Sequence, residues 1–266
     1  MSKDTLLSIV VNRAKKTFNS LKHIEFRYFW FGQIISWTGT WIQRTAQVWL
    51  VYTLTNSPFA LGLLGVFQFV PMLLFSLFAG ILVDRFSKKK LILITQSGFI
   101  VQSFILFYLT WSGYVEFWHV LVLTAVFGCL QTVEIPARQS WYIDLVGKAD
   151  LPNAISLNST VTQMAKFTGP MFAGLIMANY SIAFCFLLKG VSTFAVLISL
   201  FFIKDQGNPK SKDRKSVAKD ILEGLKHIIG NVKLRTTFLI MAIFCTFAMN
   251  TQVIIPVFAD TVLQLG

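Results

Sequence analysis

Seven stretches of mainly apolar residues follow one another along the chain: Phe26 to Leu54, Phe59 to Val83, Leu91 to Trp111, Phe117 to Arg138, Ala154 to Ala178, Ile182 to Ile203 and Thr236 to Phe258. Each is close to or above the roughly 20 residues that cross the hydrocarbon core of a bilayer. A single soluble core does not absorb such a series, and helices satisfy their own backbone in lipid. The expected fold class is therefore all-α integral membrane. Composition agrees, with 55% hydrophobic and 14% charged residues against roughly 25% charged in a soluble domain. The fifth stretch is the least apolar, because Asn158, Ser159, Thr160, Thr162, Gln163 and Lys166 make its first half polar; its neighbours require it to cross.

Orientation follows from the cations, which favour cytoplasmic flanks. With the amino terminus inside, Lys3 through Arg27, then Arg85 and Lys88 to Lys90, then Arg138 and Lys148, then Lys204 through Arg235 all lie on the cytoplasmic side. The outer connections, 55–58, 112–116 and 179–181, hold no Lys or Arg. Of 24 basic residues only Arg44, Lys166 and Lys189 remain, each inside a span. The net charge of +12 is thus an orientation signal and an attraction to anionic lipid, and nucleic acid is not an expected partner. The expected location is the inner or plasma membrane, multi-pass. Residues 6–11 are too short for a signal-peptide core and are followed, not preceded, by basic residues, so no cleavage is expected.

The connections divide the chain into a cytoplasmic amino-terminal segment (1–25), six spans (26–203), a cytoplasmic central loop (204–235) with an amphipathic run at Val217 to Ile229, and a last span (236–266). A long loop after six closely spaced spans marks the junction between two bundles. Cys129, Cys185 and Cys245 fall in different apolar runs without CxxC spacing, which makes them buried filler.

Two spans carry polar stripes. At about 100° per residue, Gln33, Trp37, Thr40, Trp41, Arg44 and Gln47 share one face of the first span, with Phe31, Ile35, Ile42 and Trp49 opposite. Arg44 in mid-span costs about 2.5–3.5 kcal/mol, which calls for a partner or a wet cavity; a structural pair or snorkelling is the bland alternative. In the fourth span Thr124, Gly128, Gln131, Glu134 and Arg138 lie on one side. Glu134 and Arg138 have the four-residue spacing of an ion pair, although Pro136 between them should disturb that turn. Lys166 and Lys189 are cavity candidates or helix–helix hydrogen-bond donors. His23, His119 and His227 sit at or beyond span ends, which does not support a histidine relay within lipid.

Two motifs carry a resemblance. Gly80, Asp84 and Arg85, followed by Lys88, Lys89 and Lys90, stand where the second span leaves the membrane. This resembles motif A of the major facilitator superfamily, with Ser87 where glycine is usual. The resemblance implies that Asp84 and the basic residues tie the loop to neighbouring helix ends and gate the inward face; an ordinary basic loop is the competing reading. Thr168-Gly169-Pro170, ending in Ala173-Gly174, resembles motif C of the antiporter branch, with Ser156, Ala165 and Ala173 in place of glycines. Generic small-residue packing is the alternative. Gly39-Thr40-Trp41, Gln68 to Pro71, Pro136 to Ser140 and Leu151 to Ser159 are similar to the enterobactin-exporter and macrolide-efflux branch over about residues 26–203. The resemblance implies a six-helix amino-terminal bundle plus the first helix of an incomplete second bundle, with a missing second six-helix half expected. It also implies that spans one and four line the pathway, which singles out Arg44 and Glu134 for substrate or proton contact, with Glu134 also a candidate gate.

Together these features point to a secondary transporter, an exporter of small molecules of drug, macrolide or siderophore type, working by alternating access. No cofactor is expected, the proton gradient being the driving force; the partners are the lipid bilayer and a small-molecule substrate. No metal site and no catalytic residue is expected, since the spans hold no HExxH, P-loop or GxSxG pattern. The alternatives are an importer of the same superfamily, or a non-transporting scaffold or truncated product.

Overall fold

The computed structural model describes residues 18–204 together with 230–232, 234–237 and 240. The amphipathic run at 217–229 and nearly all of the seventh apolar stretch lie outside the described residues. Every element within 18–204 is helical: a 3-10 turn at Asn19–Lys22, then α1 (Ile24–Thr55), α2 (Pro58–Arg85), α3 (Lys88–Trp111), α4 (Phe117–Asn179) and α5 (Ile182–Phe201). Their ends follow local chemistry. Asn56 takes the left-handed conformation (φ 49°) and donates its N–H to Tyr52 O, closing α1. Pro58 then occupies the first turn of α2, where no N–H is needed. Glu116 and His119 form a reciprocal capping box at the start of α4.

Laid straight, the 63 residues of α4 would run about 95 Å, some three hydrocarbon thicknesses. Gly147 prevents this. Its φ of 73° and ψ of 172° lie in a region that glycine enters at little cost, and the chain reverses there. Val120 and Leu121 from the first arm (117–146) join Ala173 from the second (148–179) in one apolar cluster with Leu50, Leu64, Leu106 and Phe186. Trp141 and Leu145, just before the turn, join Ala154 and Leu157, just after it, in a second cluster with Phe26, Val83, Ile92 and Leu200. The first cluster gathers the end of α1, start of α2, end of α3 and start of α5; the second gathers their opposite ends. Successive helical segments therefore run up and down alternately.

Lipid is as apolar as leucine, so packing and polar links hold such helices together. Phe29 meets Trp141 edge-on at 5.1 Å and Phe26 meets Tyr142 at 5.8 Å, contacts worth about 0.5–1.5 kcal/mol each beyond the area they bury. A Cβ at Gly169 would stand 2.3 Å from Trp41 Cβ, so the second arm of α4 rests directly on α1.

Several boundaries differ from the sequence expectation. The fourth stretch continues past Arg138 to 146, and the fifth begins at 148, not at Ala154. Residues 139–146 are mixed in polarity, yet Trp141, Tyr142, Leu145 and Val146 fall on one buried face, and that face carries the helix onward. Pro136 and Pro152 sit inside α4 without a non-helical dihedral, because proline's fixed φ is helical and its cost is one lost donor with local crowding. Ile42 is buried and Trp49 half-buried, so both leave the open face assigned to them. α1 is enclosed by α4 and α5 over a wide arc, and Phe31 and Ile35 mark the strip that remains open.

α2, α3, α4 and α5 are long and apolar enough to cross a membrane. α1 falls short on composition because it carries polar residues such as Gln33, Thr40, Gln43 and Gln47, which are buried against the other helices and not left to lipid.

Candidate functional site

Between the two apolar clusters lies a polar layer, and at its centre is a cavity of about 20 Å³, room for about one water molecule. Four helices build it: α1 through Gln33, Ser36, Trp37 and Thr40, α3 through Gln96 and Phe99, α4 through Phe127, Gln131, Glu134 and Arg138, and α5 through Lys189. The helical period explains the first group, since residues 33, 36/37 and 40 recur on one face of α1. Glu134, Arg138 and Lys189 are respectively 2%, 5% and 1% exposed, a concentration of charge that lipid does not tolerate without partners.

Those partners are partly present. Arg138 Nη1 lies 3.1 Å from Glu134 Oε1, so the pair forms across one turn despite Pro136. The same Nη1 donates to Gln33 Oε1 at 2.9 Å, tying α4 to α1, and the guanidinium lies 4.7 Å from the centre of the Trp37 ring. Gln96 Nε2 reaches Glu134 Oε1 at 3.4 Å. Lys189 Nζ has Ser36 Oγ at 3.4 Å and sits 5.5 Å from the centre of the Phe99 ring.

Arg44 stands beside this cavity, donating to Gln131 Oε1 at 3.1 Å and lying 5.1 Å from the Trp41 ring centre. Lys166, by contrast, is exposed on the second arm of α4 and approaches Trp41 from outside at 5.8 Å. Of the eight cavity candidates, Gln33, Trp37, Gln131, Glu134, Arg138 and Lys189 are brought together, Arg44 adjoins them through Gln131, and Lys166 is set apart. Missing from the sequence reading are Gln96 and Ser36, which line the same cavity, and a neighbouring buried link in which Gln43 donates to Gln102 Oε1 at 3.1 Å and accepts from Ser103 Oγ at 2.9 Å.

The motif residues lie elsewhere. Lys88 Nζ bonds Asp144 Oδ2 and Ser140 O, and Lys89 Nζ bonds Ile203 O at 2.5 Å, so the basic run fastens the start of α3 to α4 and to the residues after α5. Asp84 and Arg85 are exposed and have no partner among the described residues. Gly80 has open space where a side chain would go. In the second motif Gly169 is pressed against α1, whereas Pro170 is exposed and Gly174 faces open space. At the end where α4 turns, Asp150 accepts from Asn19 Nδ2 at 2.6 Å and meets His23 Nε2 at 2.9 Å, and Ser20 N donates to Asn153 Oδ1 at 2.9 Å. The 3-10 turn is thereby docked on the loop around Gly147. The His23 hydrogen bond, then that of Asn19, holds the Asp150 carboxyl below its ordinary range.

Comparison with known proteins places this architecture among transporters. The family described as transmembrane secretion effector matches residues 15–265. The chain is similar to the staphyloferrin A transporter of Staphylococcus aureus (strain NCTC 8325 / PS 47), 32% identical over 220 residues, covering 81% of this chain and 55% of that protein. It is also similar to the enterobactin exporter EntS of Escherichia coli O1:K1 / APEC, 24% identical over 253 residues, covering 90% of this chain and 57% of the relative. The chain spans about half the length of the curated relatives it matches. No solved structure matches.

Proposed function

We propose, from the premise that the chain belongs to the transmembrane secretion effector family of major facilitator transporters, that it forms the amino-terminal half of a proton-coupled exporter of a small organic molecule. Five helices, one folded back at Gly147, make six passes that act as one bundle, with the amino terminus and the Lys88 loop in the cytoplasm. A second bundle, beginning with the stretch at 236–258, completes the pathway, and the two rock about the polar layer to give alternating access. The observation that carries this reading is the charged cavity at mid-depth between α1, α3, α4 and α5. Buried charge among apolar helices marks a cargo or ion pathway, and Glu134, the carboxylate on its lining, is the residue we assign to proton exchange against cargo. Cargo of drug, macrolide or siderophore type fits the printed names of the relatives, one a transporter of staphyloferrin A and one an exporter of enterobactin.

The test is accumulation in an efflux-deficient host expressing the full-length gene, with and without a protonophore. Export should lower accumulation of at least one compound of these types, and the protonophore should abolish the difference. Equal accumulation with and without the gene across the panel would overturn the transporter reading; protonophore-resistant export would overturn the coupling alone.

A further inference from the structure

Sorted by role, the polar atoms around the cavity are out of balance. On its lining residues the side-chain donors Gln33 Nε2, Trp37 Nε1 and Arg138 Nε are buried and have no acceptor, while the acceptor left unfilled is Gln96 Oε1. The Lys189 ammonium, with three N–H donors, has one hydroxyl at 3.4 Å, and no carboxylate among the described residues lies within 4.0 Å of it. The one carboxylate on the lining, Glu134, is already held by Arg138 and Gln96. Counted at the ordinary charges of these side chains, two cations face one anion, and Arg44 adds a third cation behind Gln131. A water in the cavity would accept hydrogen bonds but leave the charge uncompensated. What the lining lacks is an acceptor that is also an anion.

We infer that this cavity, widened when the Glu134 carboxylate leaves Arg138, is a carboxylate-binding subsite, which recognises cargo by a carboxylate group received by Lys189, Arg138 and Gln33. The inference rests on the cavity being the cargo site and adds the chemistry of the cargo. Planar carboxylate suits the guanidinium fork, and Trp37, whose ring already stacks on Arg138, keeps that fork oriented. Glu134 plays the part of a resident competitor: it occupies Arg138 when the site is empty and must yield when a second carboxylate arrives. Uncharged compounds and cations meet no such complement.

Calorimetric titration of the purified full-length protein in nanodiscs tests this with succinate, citrate, inorganic phosphate and the uncharged triethyl citrate. Succinate or citrate should bind and triethyl citrate should not; phosphate, which the guanidinium fork also matches, should bind no tighter than either carboxylate. Lys189→Met should weaken carboxylate binding by about tenfold or more, 1.4 kcal/mol by the logarithmic relation, and Lys189→Arg should restore most of it. Glu134→Gln should tighten it, since Arg138 is released; misfolding weakens binding and cannot imitate that sign. Silence of both carboxylates, equal binding of the triester, tighter binding of phosphate than of either carboxylate, or indifference to Lys189→Met would each overturn the subsite. Efflux of a compound whose binding ignores Lys189 would remove the subsite and leave the transporter, whereas carboxylate binding without any efflux would do the reverse.

Discussion

Lys88 Nζ lies 2.5 Å from Asp144 Oδ2, joining the first residue of α3 to the first arm of α4 just before the chain turns at Gly147. Both side chains are about one-quarter exposed, so water and salt screen the pair, and a contribution of about 0.2–1 kcal/mol is expected. Lys88→Ala and Asp144→Ala should each lower the melting temperature slightly, and the double variant should lose less than the sum. The swap Lys88→Asp with Asp144→Lys should recover part of the loss. Strict additivity in the double-mutant cycle would show that the contact contributes nothing.

Asp84 stands a few residues away in the same motif but is exposed and unpartnered among the described residues. Its substitution should therefore leave the stability of this bundle within about 0.5 kcal/mol while reducing efflux several-fold, as the gating role implied by its motif's resemblance requires. Asp84→Asn is measured by expression, melting and accumulation together. Full efflux with normal insertion would remove the gating role.

Gly169 and Gly174 give a matched pair of expectations within the second motif. A methyl at Gly169 would meet the Trp41 backbone and Cβ at 2.3–3.2 Å, whereas one at Gly174 meets nothing within 4 Å. Gly169→Ala should destabilise by about 1–3 kcal/mol through forced separation of α1 and α4; Gly174→Ala should be neutral. Thermal unfolding in detergent separates the two, and equal melting points would argue that the close approach is absent in solution.

Protonation should release the 3-10 turn. Asp150 has its carboxyl held down by His23 and Asn19, so its stabilising contribution is complete above the ordinary value of 3.8 and is lost as pH falls through the lower folded-state value. A spin label at Lys22→Cys should stay immobile from neutral pH to about 4 and gain mobility only below. In an Asp150→Asn background it should be more mobile throughout. Mobilisation already complete above pH 4 would contradict the depressed carboxyl.

The apolar stretches, the cation bias and the stripe on α1 were legible because each is a property of one segment. Gln33, Trp37, Gln131, Glu134 and Arg138 could be singled out from their own periodicity, and the structure brings them to one cavity. Pairings between segments were not legible. Lys189 meets Ser36 across 153 residues, and Gln43 meets Gln102 across 59; the pattern within either helix says which side is polar and nothing about what faces it. Gln96 and Gln102, amides within the mainly apolar third stretch, were the available sign of a buried site there. Nor did residues 139–146 read as helix, because their apolar residues declare a face only once Phe26, Phe29 and Leu200 cover it.

The polar side of α1 has a bearing on how the chain is made. Emerging from the ribosome before the helices it packs against, this helix carries glutamines, a serine and an arginine whose counterparts, Thr124, Gln131, Arg138 and Lys189, are translated some 80 to 150 residues later. Until then it has no reason to partition into hydrocarbon alone, and the insertion machinery must shelter it. Biogenesis of this bundle is accordingly a waiting game, in which an early crossing is secured by later ones.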